Sequence, residues 1–146
     1  MQNEIQRFQN GYSVQECEVP LKCQHEGLTL RGQIDRIDIC DEGIYILDYK
    51  SGKYPIYTSK TVQKATDFQL EFYYLLSLSL GYDIQGCGYY DLGSGQIIDE
   101  VLLSEKLEIL TQHLRELQET KRFVFDKTED QSRCRYCEYI LMCGRA

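Results

Sequence analysis

Long hydrophobic runs are missing from this sequence. No apolar stretch approaches the roughly 18–20 residues that span a bilayer, and the amino terminus carries no signal-peptide pattern. The chain therefore reads as cytoplasmic, with no membrane partner. Positive charge is also in short supply. A formal net charge of −7 argues against a protein that coats nucleic acid through a generally basic surface. A secreted disulfide scaffold is the third exclusion: the seven cysteines are odd in number and the chain is long enough to bury a core. At 146 residues, 27% charged and 42% hydrophobic, residues 1–146 read as a single globular domain.

What is present centres on Gly32–Lys53, GQIDRIDICDEGIYILDYKSGK. Ile34, Ile37 and Ile39 precede Asp41-Glu42-Gly43, which supply turn chemistry, and Ile44, Ile46 and Leu47 follow. This is the pattern of a β-hairpin. If Asp41 and Glu42 form a two-residue loop, Cys40 pairs with Gly43 and Asp35 falls opposite Asp48. A three-residue loop shifts that pairing by one position. Opposed Cβ atoms lie roughly 4.5–5.5 Å apart, and like charges there are destabilising without a cation. Alternation puts Lys50 on the same face as Asp48. Two acids and an amine thus converge on a sheet surface, which suits a divalent metal. The competing reading is a surface ion pair between Asp48 and Lys50, with Asp35 exposed. Both acids lie in strongly apolar strands, where an unpartnered charge is costly, and this favours convergence. Strict alternation from Ile37 and Ile39 puts Asp35 among apolar neighbours, so a bulge near Gly32–Asp35 is the device that would re-aim it.

Asp35 in GQIDRID, followed by Asp48-Tyr49-Lys50 in ILDYKSGK, resembles the PD-(D/E)XK nuclease superfamily, in particular its RecB-like branch. Ile34 stands where the first motif often has proline, a variation that branch allows. The resemblance implies an α/β fold: a restriction-endonuclease-like mixed central sheet flanked by helices. An acid on the first long strand is common in RecB-like nucleases, and Glu18 matches it, with Glu16 as competitor. The net negative charge does not conflict, because metal-binding acids contribute to it and Lys50, Lys53, Lys60 and Lys64 cluster beside the proposed site.

Along the rest of the chain, Glu4–Asn10 reads as a short helix stopped by Gly11. Ser13–Gln24 reads as a strand with Val14, Cys17, Val19 and Leu21 as candidate core. Cys17, Cys23, Cys40 and Cys87 sit in predicted strands and look like core residues. Ser51–Ala65 reads as a loop over the site, and Thr66–Leu80 as a helix with Phe68, Phe72, Leu75, Leu76 and Leu80 at helical spacing before Gly81. Gln69 and Tyr73 fall on one face of it. They match the Q-x-x-x-Y motif of RecB-like nucleases, where these residues line the DNA-binding surface. Thr66 with Gln69 also fits a capping box. Ile84–Asp91 and Gln96–Leu103 read as strands around the turn Gly93-Ser94-Gly95, with Tyr89 and Tyr90 as sheet packing. The strand–helix–strand passage predicts a parallel crossover, hence a mixed sheet. Ser104–Thr120 is an amphipathic helix with the stripe Leu107, Leu110, Leu114 and Leu117. His25 and His113 read as surface or boundary residues.

The tail CRYCEYILMCGRA places Cys134, Cys137 and Cys143 in a C-x2-C-x5-C array. Clustered thiolates hold zinc or iron–sulfur centres, normally with a fourth ligand, and none is obvious here. In AddB-type helicase–nuclease subunits and CRISPR adaptation exonucleases, a similar triplet joins a distant upstream cysteine around a [4Fe–4S] cluster. The resemblance assigns cluster-ligand roles to these three cysteines and makes residues 134–143 a cluster-binding tail.

The resemblance further implies a metal-dependent DNA exonuclease using Mg²⁺ or Mn²⁺. Asp35 and Asp48 would be metal ligands with the Tyr49 carbonyl, Lys50 the catalytic amine, and Gln69 and Tyr73 strand-positioning residues. An amino-terminal helix carrying a metal-site residue, and a first cluster cysteine, are not evident. The chain therefore reads as a carboxy-terminal fragment of a longer helicase–nuclease, with a helicase as partner subunit. Two alternatives stand beside this reading: a non-catalytic DNA-binding or scaffolding module with a structural metal, and a CRISPR adaptation-type exonuclease.

Overall fold

In the structure, a computed structural model describing residues 2–122 and 126–145, the predicted hairpin sets the frame. Cys40 pairs with Gly43, and the antiparallel register continues through Ile39↔Ile44, Asp38↔Tyr45 and Ile37↔Ile46 to Arg36↔Leu47. Gly43 is required at this turn. Its φ is +145°, and an added Cβ would sit 2.0 Å from the Asp83 carbonyl oxygen, which also accepts a 2.8 Å bond from the Ile44 amide. The hairpin is thereby fastened to the loop preceding a later strand.

The strands are β1 (Gln2–Asn3), β2 (Ser13–His25), β3 (Leu28–Cys40), β4 (Gly43–Lys50), β5 (Ile84–Asp91) and β6 (Gln96–Asp99). The helices are α1 (Glu4–Gln9), α2 (Gln69–Ser77) and α3 (Leu103–Glu119). One six-stranded sheet results, in the order β1-β6-β5-β4-β3-β2. β4 and β5 are parallel, and the other neighbours are antiparallel. The chain thus has the restriction-endonuclease-like α/β architecture: a mixed sheet flanked by helices.

Alternation along β4 divides its residues between two faces. Ile44 and Ile46 join Ile37, Leu70, Leu75, Leu76, Leu110 and Leu114 in the main core, beneath α2 and α3. Tyr45 and Leu47 join Ile97 on the reverse face, with Tyr12 and Tyr90 beside them. There α1 is pinned by Arg7, whose guanidinium lies 4.1 Å from the Tyr12 ring centroid and 4.4 Å from that of Tyr45. It also bonds the fully buried Asp38 at 3.0 Å.

Asp35 keeps the parity of Ile37 and reaches the α2 face by plain alternation, without the bulge expected near Gly32–Asp35; it is the earlier part of β3 that changes face. Leu30 and Ile34 share the α2 face with Ile37, although alternation would separate Ile34 from Ile37. The phase therefore changes between them. No residue is inserted there; the irregularity in the β2–β3 ladder lies between Val14 and Glu16. Instead Asp35 pairs with neither neighbouring strand, between the ladder pairs Cys17↔Arg36 and Val19↔Ile34. Opposite it, Glu18 adopts a left-handed φ of +55°.

Other boundaries shift. α2 begins at Gln69 rather than Thr66 and ends in a 3-10 turn, Leu78–Leu80, before Gly81 at φ +74°. β6 stops at Asp99, short of Leu103. Val14 and Cys17 are exposed, because the helical layer covers only the later half of β2, around Val19, Leu21 and Cys23. Of the four strand cysteines expected in the core, only Cys87 is buried. No helix among the described residues is long and apolar enough to cross a membrane.

Candidate active site

Asp48 and Lys50 end β4, and both project toward α2 because they share the parity of Ile44 and Ile46. Extending the hairpin register by one step brings Asp35 opposite Asp48. With the ladder open at this point, the Tyr49 amide donates to Asp35 Oδ2 at 3.0 Å. The Tyr73 hydroxyl donates to the other Asp35 oxygen at 3.1 Å, and Gln69 Nε2 donates to Tyr73 at 3.1 Å. Lys50 Nζ donates to Gln69 Oε1 at 2.7 Å and contacts Asp48 Oδ2 at 2.7 Å. Asp35, Asp48, Tyr49, Lys50, Gln69 and Tyr73, six residues from three elements, therefore meet in one chain of contacts. Gln69 is committed to this chain and not to a capping box; its own amide bonds Asp67 Oδ1 at 3.1 Å.

Asp48 is 1% exposed. Burial raises its carboxyl pKa, and the nearby Asp35 carboxylate adds to the rise against the opposing pull of the Lys50 amine. Although Lys50 touches Asp48 Oδ2, this oxygen has no hydrogen bond of good geometry. A buried carboxylate oxygen left without a directional donor, facing a second carboxylate, has the chemistry of a site for a hard cation. The two acids supply oxygen donors of the kind Mg²⁺ and Mn²⁺ favour, and on that ground the residues fit such an ion. Among the described residues, no three His, Cys, Asp or Glu side chains gather as a ligand set, so remaining ligands would come from backbone, water or substrate. Burial also pushes the Tyr73 hydroxyl up to about 12, with the Asp35 charge contributing, so it remains a hydrogen-bond donor at neutral pH.

Lys53, Lys60 and Lys64 are exposed in the segment between β4 and α2. Glu18 bonds the Gln33 side chain and is exposed. Cys134, Cys137 and Cys143 are half-buried, and they too fall outside any gathered ligand set among the described residues. Cys134 Sγ instead accepts a bond from Arg145 Nη1 at 3.4 Å.

Sequence reasoning missed a second set of groups behind the site. Lys106 of α3 is completely buried; its Nζ lies 2.9 Å from Glu71 Oε1 and 2.8 Å from Glu100 Oε2. Glu71 is also completely buried, and burial raises its pKa despite the Lys106 charge. Burial opposes the Lys106 charge as well, but Glu100 and Glu71 outweigh it and raise the amine's pKa. Tyr89 stands between this triad and Lys50, its ring centroid 5.2 Å from Lys50 Nζ. Its hydroxyl is buried without a hydrogen-bond partner. The only sequence signal was the placement of Lys106 on the apolar stripe of α3 with Leu103, Leu110 and Leu114; its residue type argued for solvent.

No curated protein matches the chain. A sequence model of the PD-(D/E)XK nuclease superfamily matches residues 1–144, which span both the sheet and the Asp35–Asp48–Lys50 constellation, and the chain belongs to that superfamily.

Proposed function

We propose that Asp35 and Asp48 hold Mg²⁺ or Mn²⁺, with the Tyr49 carbonyl as a further ligand, and that the protein hydrolyses phosphodiester bonds of DNA. The observation carrying this reading is the juxtaposition of a buried, under-bonded Asp48 carboxylate with Asp35 and the Lys50 amine. When bound, such an ion supplies polarisation of the scissile phosphate and acidification of a water. The Lys50 amine lies beside Asp48, where it would stabilise charge developing on phosphate oxygens or orient the attacking water. Gln69 fixes the Lys50 amine, and Tyr73 fixes Asp35; both sit on the face of α2 that the nucleic-acid strand approaches. Exposed Lys53, Lys60 and Lys64 add local positive charge for the backbone, despite the negative total.

The finer setting rests on the resemblance of GQIDRID, ILDYKSGK and QLEFY to RecB-like nucleases. It is that of an exonuclease trimming one strand at double-strand ends beside an ATP-driven helicase. Asp48→Ala tests the core of the proposal. It should abolish Mn²⁺-dependent DNA cleavage and the calorimetric signal of Mn²⁺ binding, while circular dichroism stays that of the parent. Cleavage persisting in a folded Asp48→Ala protein would overturn the assignment, and absence of Mn²⁺ binding by the parent would favour a non-catalytic module.

A further inference from the structure

We propose that Lys106 is a positioning residue for the site: from α3 it fixes the rotation of α2, and so sets Gln69 and Tyr73 against Lys50 and Asp35. The inference deepens the nuclease reading and depends on it only for its catalytic consequence.

α2 is nine residues long, and its apolar Leu70, Leu75 and Leu76 are buried in the main core. Gln69 and Tyr73 lie one turn apart on one side. Glu71 lies midway between them in sequence, which at 3.6 residues per turn puts it near the opposite side. The helix is therefore held from two directions. On the site side are directional hydrogen bonds to Lys50 and Asp35. On the far side is the Lys106 amine, with side-chain exposures of 0% for Lys106 and Glu71 and 10% for Glu100.

Glu100 ties this amine to the sheet. Its amide donates to the Cys87 carbonyl of β5 at 2.9 Å, and its Oε1 accepts from the Leu102 amide at 3.0 Å, at the start of α3. Lys106 thus links the orientation of α2 to β5, the strand that runs parallel to Asp48 and Lys50. Apolar packing of similar volume would serve cohesion as well or better; what the buried pair adds is a steep cost for moving Glu71 away from the one cation that faces it, since neither Glu71 oxygen has a hydrogen bond of good geometry. A misplacement of catalytic groups by about 1 Å is enough to reduce rate by about 100-fold.

The test is the double variant Glu71→Leu/Lys106→Met, which removes the ion pair without stranding a partner on α2. The full chain is labelled with ¹³C at tyrosine Cζ, and the Tyr73 resonance is assigned through Tyr73→Phe. The expected result is a cooperatively unfolding protein whose Tyr73 signal moves toward that of an exposed tyrosine. Its Mn²⁺-dependent cleavage should fall by about 10- to 100-fold in kcat, with KM little changed. A folded variant with parental Tyr73 resonance and parental kcat would overturn the proposal, since a purely cohesive role moves only thermal stability. If the double variant does not fold, Glu71→Gln replaces it. A displaced Tyr73 signal then supports positioning, and an unmoved one overturns it. A parent protein inert with Mn²⁺ would overturn the nuclease reading alone, and the Tyr73 resonance would decide the positioning role by itself.

Discussion

Tyr73 is the residue on which the site's two carboxylate environments turn. Its hydroxyl receives from Gln69 and donates to Asp35, joining the amine side of the site to the acid side through a single oxygen. Tyr73→Phe keeps the ring, which packs in the main core. It leaves one Asp35 oxygen and the Gln69 amide without their partner. The expected loss of stability is about 0.5–1.5 kcal/mol by denaturant unfolding. Cleavage should fall about tenfold, because Asp35 loses one of the two donors that orient it. A larger loss of stability with unchanged cleavage would assign Tyr73 to packing alone.

Among the elements, the β3–β4 hairpin determines whether the site exists. Its register depends on Gly43, whose backbone conformation disfavours a side chain and whose Cα lies against the Asp83 carbonyl. Gly43→Ala therefore either opens the turn or pushes away the loop before β5. The expected cost is about 1–3 kcal/mol, measured as a lower midpoint of urea unfolding. Because β5 holds the strand edge beside Asp48 and Lys50, Mn²⁺ affinity should fall with it. A second control lies under α2, where a Cβ on Gly32 would come within 2.8 Å of a Leu76 methyl. The small residue lets the helix that carries Gln69 and Tyr73 sit close to β3.

At the scale of the whole molecule, two buried ionic groups fasten the helices to the two faces of the sheet. Arg7, Arg36 and Asp38 hold α1 on the reverse face; Lys106, Glu71 and Glu100 hold α2 and α3 on the site face. The second group makes stability depend on alkaline pH. The folded-state pKa of Lys106 lies above its ordinary 10.5, since its two carboxylates outweigh burial. Its stabilisation is therefore fully present below about pH 10 and lost as pH rises through the folded value. Thermal unfolding compared between about pH 8 and 11 should show a larger loss in the parent than in Lys106→Met, which keeps only the loss from the buried Tyr45, Tyr73, Tyr89 and Cys87, whose pKa values are also raised. That variant should begin about 3–5 kcal/mol less stable, because Glu71 is left buried without its partner. Equal slopes in the two proteins would show that Lys106 does not carry the effect.

Read by itself, the sequence determined the hairpin register and the parallel crossover, and it placed Asp35 opposite Asp48 with Lys50 beside it and Gln69 and Tyr73 on one helical face. These follow from local rules: side-chain alternation, turn chemistry and helical spacing act over a few residues, whereas the roles of those residues rest on the family resemblance. Only the tertiary structure decided where β3 changes phase, between Ile34 and Asp35, because what stands opposite, the left-handed Glu18, belongs to another strand. It also decided that α2 waits until Gln69 to begin. The buried Lys106 triad was invisible for the same reason. A lysine enters a core only when two distant carboxylates meet it there, and Glu71 and Glu100 come from parts of the chain that no local pattern relates.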